Sequence, residues 1–498
     1  MSATSAAEPA QRCETLAEAL KDKVARGVAW SIGEKIGTML LQMGVSIVVL
    51  RLLLPADFGV VAVLTAFAAL ALVVVDSGFS QTLIRKAEPA PEDYKAVFLF
   101  NMGASAALYV LLTALAPVAA NYYDMPVITR IAPVFFLLVP VNALCVIQNT
   151  IFTRRFSFAL LSKVTFASSV VSGCAAVLPA LAGCGVWSLV AQRVLQTGVR
   201  AVLLWRLSDW RPRATSGWNF GALRAMMPYS FSLLATDLIA SFYNKIPQLF
   251  IGKIYSAGTL GYFDQAQKLK DLPVTSTMAA VQGVTFPALS KIASDGKKFA
   301  ESYRQVTMVV AYTMFPMMLG LSAVAHDMFA VLLGEKWMPT VPYFETICLA
   351  GLFYPVAMVA YNVLKVKCEG PTIVRLEVLK KVIMTLILAL TIPRSVQAVV
   401  WGLVVFAACE MVVNVTAALR RTELTGRRLL RTLLPVVLIS GAMYVAVRAV
   451  AAAPIENALL RLAAEVGTGV ALYAALSALF RLEAFGEVAA MVRRRFES

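Results

Sequence analysis

Apolar stretches of this sequence carry polar side chains at the spacing of one helical face. The first stretch, residues 28–50, has such side chains at i, i+3, i+4, i+7, i+11 and i+15, namely Ser31, Glu34, Lys35, Thr38, Gln42 and Ser46. Because an α-helix has 3.6 residues per turn, these side chains share one face. A charge at the bilayer centre costs about 2.5 to 3.5 kcal/mol on insertion scales. The face therefore has to meet water or polar partners instead of lipid.

Two later stretches repeat this pattern. Along one face, residues 228–254 carry Ser230, Asp237, Ser241, Asn244 and Gln248, with Lys245 adjacent, and residues 258–288 carry Asp264, Lys268, Asp271, Thr275 and Gln282. One interpretation is structural, with Lys35 paired to Glu34 or Asp237, and with Lys268 paired to Asp264 or Asp271. Such pairs explain single residues, but they do not explain polar faces along whole helices. The three faces favour a hydrated cavity between helices.

Other polar residues in apolar stretches can be explained without a cavity. Asp76, near the end of its stretch, is equally compatible with an interfacial position and with the cavity. Lys380 and Lys381 are attributed to snorkelling from a helix end. No catalytic constellation is present, since the chain has one histidine, His326, and no CxxC spacing or phosphate-binding glycine loop. We therefore expect no enzymatic activity, no metal and no cofactor.

The composition excludes a soluble protein. Of the 498 residues, 59% are hydrophobic and 15% are charged, whereas soluble proteins carry about 25% charged residues. One crossing needs about 20 apolar residues. The sequence thus predicts an all-α polytopic membrane protein with about 14 transmembrane helices, near residues 28–50, 58–83, 96–117, 130–152, 160–181, 185–205, 228–254, 258–288, 304–325, 341–364, 373–393, 396–418, 430–450 and 457–480.

The basic residues predict the orientation of these helices. The 45 Lys and Arg against 29 Asp and Glu give a net charge of +16. Counted along the chain, 31 of the basic residues fall on alternate connections and seven on the opposite set. This asymmetry is the positive-inside bias of a membrane protein, so we expect no nucleic-acid partner and place both termini in the cytoplasm.

A weak internal repeat divides the chain. At an offset of 202, residues 47–60 (IVVLRLLLPADFGV) align with residues 249–262 (LFIGKIYSAGTLGY), and the polar faces of the first and seventh helices coincide. Since 202 residues hold six crossings, the two halves have the same orientation. The predicted parts are a cytoplasmic amphipathic segment (1–26), an N-lobe (27–206), a cytoplasmic linker (207–227), a C-lobe (228–420), helices 13 and 14 (421–480) and a basic cytoplasmic tail (481–498).

Two blocks of the sequence carry motifs of a known protein family. Residues 26–86 contain Gly27, Trp30, Arg51-Leu52-Leu53 before Pro55, Asp57-Phe58-Gly59, and Asp76 before Gly78; residues 260–290 contain LGYFDQAQKL and FPALS. Together they resemble the Wzx-type lipopolysaccharide and capsular polysaccharide flippases, the polysaccharide exporter branch of the multidrug/oligosaccharidyl-lipid/polysaccharide superfamily. Relatives often have an aspartate about five residues before the Ile-Gly-Lys of the seventh helix. This chain has Pro247 there, so no role for that carboxylate is carried over.

The resemblance implies a two-lobed bundle in the bacterial inner membrane that moves a polyprenyl-diphosphate-linked oligosaccharide by alternating access. Its partners would be this cargo, membrane lipids, a proton or sodium counter-ion, and polysaccharide polymerase or export machinery. The residues then take hypothetical roles. Lys35, Lys245 and Lys268 would meet the diphosphate; Gln42, Asn244 and Gln248 would face sugars; and Glu34, Asp76, Asp237, Asp264 and Asp271 would balance charge or couple an ion.

Two other functions remain open on the sequence. A multidrug or organic-cation antiporter of the same superfamily would have a mainly acidic, aromatic cavity, whereas these faces mix lysines with carboxylates. A membrane-embedded polysaccharide polymerase or ligase would have a large outer loop, and every outer connection predicted here is short.

Overall fold

The computed structural model describes residues 37, 39, 41–86, 88–212, 220–483 and 485–486. Its regular structure in these ranges is helical throughout, and the fold class predicted from the sequence is confirmed. The predicted amphipathic segment 1–26, the candidate residues Glu34 and Lys35, and most of the basic tail lie outside the described residues.

The described helices follow the predicted crossings in order. They are α1 (Leu41–Leu52), α2 (Pro55–Asp76), α3 (Phe79–Arg85), α4 (Pro91–Tyr123), α5 (Val127–Phe136), α6 (Leu138–Arg154), α7 (Phe158–Leu181), α8 (Val186–Leu207), α9 (Phe220–Ile254), α10 (Ala257–Lys291), α11 (Gly296–Ala323), α12 (Ala325–Leu332), a 3₁₀ helix (Glu335–Thr340), α13 (Val341–Lys367), α14 (Gly370–Thr391), α15 (Val396–Leu419), α16 (Gly426–Ala451) and α17 (Ala458–Leu479).

Nine helical segments in the described part of the chain are long and apolar enough to cross a membrane. Helices α9 and α10 fall outside this set although each has 35 residues, or about 50 Å at 1.5 Å per residue. Both carry one of the polar faces. Helices α8 and α14, with 22 residues each, also fall outside the set, and they contain Arg193 and Lys380.

Two helices begin with the same chemical signal. Pro55 and Pro91 occupy the first turns of α2 and α4, where the missing N–H costs nothing. Two residues later, Asp57 accepts a hydrogen bond from the Leu54 N–H at 3.1 Å, and Asp93 accepts one from the Ala90 N–H at 2.8 Å. Each carboxylate also complements the positive end of the helix dipole. The Pro55 and Asp57 positions of the sequence motif therefore start a helix.

The helix boundaries agree with the internal repeat at its best-matched point. Helix α1 ends at Leu52 and α2 begins at Pro55, while α9 ends at Ile254 and α10 begins at Ala257. The two helix ends are 202 residues apart, and so are the two helix starts, which is the offset found in the sequence. Arg51 and Lys253, which the offset superposes, are the penultimate residues of their helices.

The described residues pack as two compact units. The first unit extends to Ile246 and the second begins at Pro247, close to the end of α9. The larger part of α9 therefore belongs to the first unit, and its start packs against the helices that precede it. In the first unit, one core lies where α3, α4, α6 and the start of α9 meet, around Phe79, Val97 and Ile147. In the second, one core joins α10, α11, α13 and α16 around Tyr303 and Met314.

Ion pairs attach the last two helices to the second unit. Arg461 of α17 donates hydrogen bonds to both carboxylate oxygens of Asp327, one of them at 2.6 Å. Arg448 of α16 donates to Glu345 of α13 at 2.9 Å. Further along α17, the Tyr473 hydroxyl donates to the Tyr312 carbonyl of α11 at 2.8 Å. Helices α16 and α17 are thus fixed to α11, α12 and α13 at several levels.

Candidate functional site

In the first unit, α9 lies against the junction of α2 and α3. Gly78, at φ +69°, forms this junction, and a Cβ at that position would lie 2.8 Å from Leu233 Cβ and 2.9 Å from the Ser230 carbonyl oxygen. The hydroxyls of Thr82 and Ser230 are 2.8 Å apart. A residue without a side chain is therefore required for the two segments to approach this closely.

This approach brings two of the candidate carboxylates together. Asp76, the last residue of α2, accepts a hydrogen bond from Ser80 at 2.5 Å and lies close enough to Asp237 for the two charges to repel. Asp237 is exposed at the surface of the unit, whereas Ser230, two turns earlier on the same predicted face, is fully buried. The polar face of α9 is thus divided into a packed end and an accessible middle.

The described end of the first polar face contacts α7. Gln42 donates a hydrogen bond to the Ser169 hydroxyl at 3.0 Å. One turn further along, a Cβ on Gly173 of α7 would lie 2.8 Å from Val45 Cγ2. Gln42 is nevertheless exposed on its other side. It therefore combines an interhelical contact with an accessible amide edge.

In the second unit, the candidate residues of α9 and α10 meet. Asp264 is 4% exposed, and its carboxylate lies 2.5 Å from the ammonium of Lys268, one turn later, whose side chain is 41% exposed. The buried Gln248 amide points at Asp264 and Gln267 over 3.5 Å, the outer limit of a hydrogen bond. Lys268 thus has both a carboxylate partner and an accessible ammonium.

The remaining candidate residues lie beside these groups. Asp271 pairs with Lys270 at 2.6 Å, a lysine that the spacing had placed off the polar face. Asn244 is exposed, and Lys245 is partly buried with interactions of its own. Among the described residues, no three His, Cys, Asp or Glu side chains are grouped to hold a metal ion.

Lys380 corrects one interpretation made from the sequence. Its side chain does not extend to a helix end, because Lys380 is 4% exposed and lies near the middle of α14. The ammonium is 2.6 Å from Glu377 and 3.2 Å from Glu410 of α15, and it lies over the Tyr361 ring of α13 at 4.8 Å. Two carboxylates and an aromatic face compensate the buried charge, so snorkelling is unnecessary.

This Lys380 cluster, comprising Tyr361, Glu377, Lys380 and Glu410, was missed as a candidate site. One signal was present, because Glu377 precedes Lys380 by three residues and shares its helix face. A second was the position of Glu410 deep in an apolar stretch. The Tyr361 contact depends on how α13 and α14 both pack against α15, which no local spacing reveals.

The model of the polysaccharide biosynthesis protein family matches residues 48–342. The succinoglycan biosynthesis transport protein ExoT of Rhizobium meliloti (strain 1021) is 25% identical over 333 residues, 67% of this chain and 67% of the relative. The lipopolysaccharide biosynthesis protein WzxC of Escherichia coli (strain K12) is 23% identical over 345 residues, 67% of this chain and 68% of the relative.

Two solved structures have a similar fold. The lipid II flippase MurJ, in an inward closed conformation, superposes with a TM-score of 0.69 at 11% identity, covering 91% of this chain and 98% of that protein. An inward-facing multidrug resistance MATE family transporter superposes with a TM-score of 0.59 at 14% identity, covering 77% of this chain and 94% of that protein.

Proposed function

The chain belongs to the polysaccharide biosynthesis protein family, and from this membership we propose that it is a flippase for a polyprenyl-diphosphate-linked oligosaccharide. The cargo moves from the cytoplasmic to the periplasmic leaflet of the bacterial inner membrane by alternating access, with both termini in the cytoplasm. Helices long enough to span a membrane, together with relatives named for polysaccharide transport, make the chain a multi-pass transport protein and not an enzyme. The family match over residues 48–342 is the observation that carries the proposal.

The physical problem of such cargo explains why polar groups occur at membrane depth. An oligosaccharide carries many hydroxyls, and removing each from water without a partner costs a few kcal/mol. A path lined with amides, hydroxyls and charges lowers that cost. The accessible side of Gln42, the exposed Asn244 and the half-exposed Lys268 supply such groups within the two units.

Charge assigns the roles within this proposal. Lys35, Lys245 and Lys268 attract the diphosphate, while Gln42, Asn244 and Gln248 exchange hydrogen bonds with sugar hydroxyls. Asp264 offsets the charge of Lys268 when no cargo is bound, since the two side chains are in direct contact. Glu34, Asp76, Asp237 and Asp271 complete the charge balance or exchange a proton or sodium ion. This mixture of signs distinguishes the path from the mainly acidic one expected of an organic-cation antiporter.

The membrane potential favours the proposed direction. With the cytoplasm negative, outward movement of an anionic group gains about 2.3 kcal/mol per charge for each 100 mV crossed. A diphosphate would thus be driven outward even without a coupled ion. Transport in vesicles with an imposed potential, measured with and without a proton or sodium gradient, separates these two driving forces.

The proposal is tested by deleting the gene and locating the lipid-linked saccharide that accumulates. We expect a complete repeat unit on its polyprenyl diphosphate, confined to the cytoplasmic leaflet and inaccessible to periplasmic enzymes. Reintroducing the intact gene should restore surface polysaccharide. Accumulation of the same saccharide in the periplasmic leaflet would instead indicate a defect in polymerisation and would exclude the flippase.

A further inference from the structure

A cleft of about 250 Å³ opens at one end of the first unit. Tyr94, Ile151, Arg154, Arg155 and Trp210 line it. Tyr94 lies in the first turn of α4, Ile151 and Arg154 in the last turn of α6, and Trp210 just after α8. The count of basic residues assigns this end to the cytoplasm. None of the five residues belongs to the polar faces described above, so the cleft is separate from the proposed cargo path.

Hydrogen bonds to the backbone hold one cation of the cleft in place. Nη1 of Arg154 donates to the carbonyls of Leu83, Ile84 and Lys86 at 2.5, 3.1 and 2.6 Å. These carbonyls end α3, where helix C-termini present unsatisfied acceptors. The guanidinium is therefore positioned before any ligand arrives. Because Arg154 also caps α3, this contact gives it a structural role as well.

Aromatic packing fixes the opposite wall. The Trp210 ring lies 6.4 Å from the Tyr94 ring and 5.7 Å from the Phe98 ring, measured between centroids. Arg211 donates to the carbonyls of Ser208 and Trp210 at 2.6 and 2.8 Å, which orders the segment after α8. Packing thus holds this wall in place, and the two aromatic side chains line the cleft together with Arg154 and Arg155.

The charge of the lining is positive. Its five residues include two arginines and no carboxylate. Two acids lie beside the lining: Asp93 pairs with Lys86 at 2.5 Å, and Asp209, with its side chain 92% exposed, lies 3.7 Å from Arg155. A loose pair between exposed groups contributes little. The second cation, Arg155, is itself 59% exposed and can turn towards a ligand.

This donor set suits a phosphate group. Guanidinium forks match phosphate oxygens in paired hydrogen bonds, and Trp and Tyr concentrate at the level of lipid headgroups. The volume is below the range of about 300 to 1,000 Å³ found for drug-sized ligands, which selects a small headgroup. We propose that the cleft of Tyr94, Arg154, Arg155 and Trp210 binds the phosphate ester of an anionic lipid in the cytoplasmic leaflet.

Lipid retention by the purified full-length protein tests this site. The protein in detergent is titrated with phosphatidylglycerol or phosphatidylcholine, and bound lipid is counted by native mass spectrometry. Wild type should retain phosphatidylglycerol preferentially. The double variant Arg155→Ala, Trp210→Leu should lower this affinity at least about tenfold, and Arg155→Lys should have an intermediate affinity because it keeps charge without the fork.

Arg206→Ala is the matched control, because Arg206 is an exposed arginine at the end of α8 that does not line the cleft. It should bind as wild type does. The proposal would be overturned if Arg206→Ala lost as much affinity for phosphatidylglycerol as the double variant, or if wild type retained the two lipids equally. Arg154 is left intact because its removal would also uncap α3.

Two competitors identify the source of the phosphate. Displacement of phosphatidylglycerol by inorganic diphosphate supports recognition of the phosphate itself, and tighter binding of polyprenyl phosphate than of phosphatidylglycerol identifies the carrier lipid as the ligand. Failure of both competitors, together with unchanged binding in the double variant, places the bound lipid elsewhere and refutes the site. None of these readouts depends on flipping, so the result stands apart from the proposed function.

Discussion

Lys380 in the middle of α14 donates a hydrogen bond to Glu410 of α15 at 3.2 Å, so one buried ammonium joins two neighbouring helices. Glu377, 2.6 Å away on the same helix as Lys380, adds a second carboxylate. A buried charge needs such partners because its removal from water costs several kcal/mol. The pair therefore fixes the register of α14 against α15.

Removing this lysine should destabilise the protein. Lys380→Ala leaves Glu377 and Glu410, which are 35% and 21% exposed, without their shared cation. Loss of one partner of a buried pair lowers the free energy of unfolding by about 3 kcal/mol, the lower end of the range applying because both carboxylates are only partly buried. Thermal unfolding in detergent measures the effect, with Arg375→Ala, which removes an exposed cation of the same helix, as the control.

A double variant separates an ion pair from simple packing. Lys380→Met combined with Glu410→Gln replaces the charged contact by a neutral one of similar size and should recover part of the lost stability. If Arg375→Ala lowered the unfolding temperature as much as Lys380→Ala, or if the double variant were the least stable of all, the Lys380 cluster would not be the source of the stabilisation.

The helices were predictable from the sequence because the bilayer requires long apolar stretches. The stretch 160–181 is α7, Phe158–Leu181, and the stretch 396–418 is α15, Val396–Leu419. Interruptions were not predictable to the same degree. The stretch 130–152 contains two helices, since α5 ends at Phe136, four residues before Pro140, which lacks the N–H to bond the Phe136 carbonyl.

The partners of polar residues were harder to predict than the helices. Spacing places Asp264 and Lys268 on one face, and their contact follows directly. The choice of Ser169 as the partner of Gln42 depends on how α7 packs, and the proximity of Asp76 to Asp237 depends on the close approach at Gly78. Tertiary packing decides such pairs, so the sequence supplied the candidate groups without their partners.

Gly78→Ala should disrupt the first unit. An alanine at φ +69° is strained by about 1 to 2 kcal/mol, and its Cβ would meet Leu233 and the Ser230 carbonyl below 3.0 Å. We expect a loss of at least about 2 kcal/mol in unfolding free energy and a lower yield of folded protein. Gly103→Ala in α4, where a Cβ would meet nothing within 4 Å, is the matched control.

The control variant should behave in the opposite way, because alanine in a helix is more stable than glycine by about 1 kcal/mol. Gly103→Ala is therefore expected to be neutral or stabilising in the same thermal assay. Equal behaviour of the two variants would show that α9 does not require the close approach at position 78.

Acid should weaken the attachment of α17 to α12. The two hydrogen bonds from Arg461 lower the pKa of Asp327 from its ordinary 3.8 to about 2, with further contributions from His326 and Glu465. A lowered pKa in the folded state adds stability that is fully present above pH 3.8 and is lost as pH falls through 2. This pKa shift corresponds to roughly 2 kcal/mol of unfolding free energy.

Unfolding free energy measured between pH 7 and pH 2 checks this expectation. Wild type should lose this contribution only below about pH 4, whereas Arg461→Met should already lack it at pH 7 and show a smaller further loss in acid. Parallel pH profiles for wild type and Arg461→Met would mean that the Asp327 contact does not govern acid stability.

A double substitution tests whether Lys268 binds the cargo or only pairs with Asp264. If Lys268 only forms the ion pair, Lys268→Ala loses surface polysaccharide because Asp264 is left buried without its partner. Adding Asp264→Asn should then restore the polysaccharide. If the ammonium meets the diphosphate, the double variant folds but remains inactive. We expect the second result, with a loss of polysaccharide of about tenfold or more.

The assay needs protein level measured beside polysaccharide, so that a folding defect is separated from a transport defect. Lys291→Ala, an exposed lysine at the far end of the same helix, should leave both unchanged. Lys35→Ala extends the test to the first polar face and should also abolish polysaccharide at normal protein level. Wild-type polysaccharide in both Lys35→Ala and Lys268→Ala would remove the cationic site from the proposed path, since the lysines would then be dispensable for carrying an anionic cargo.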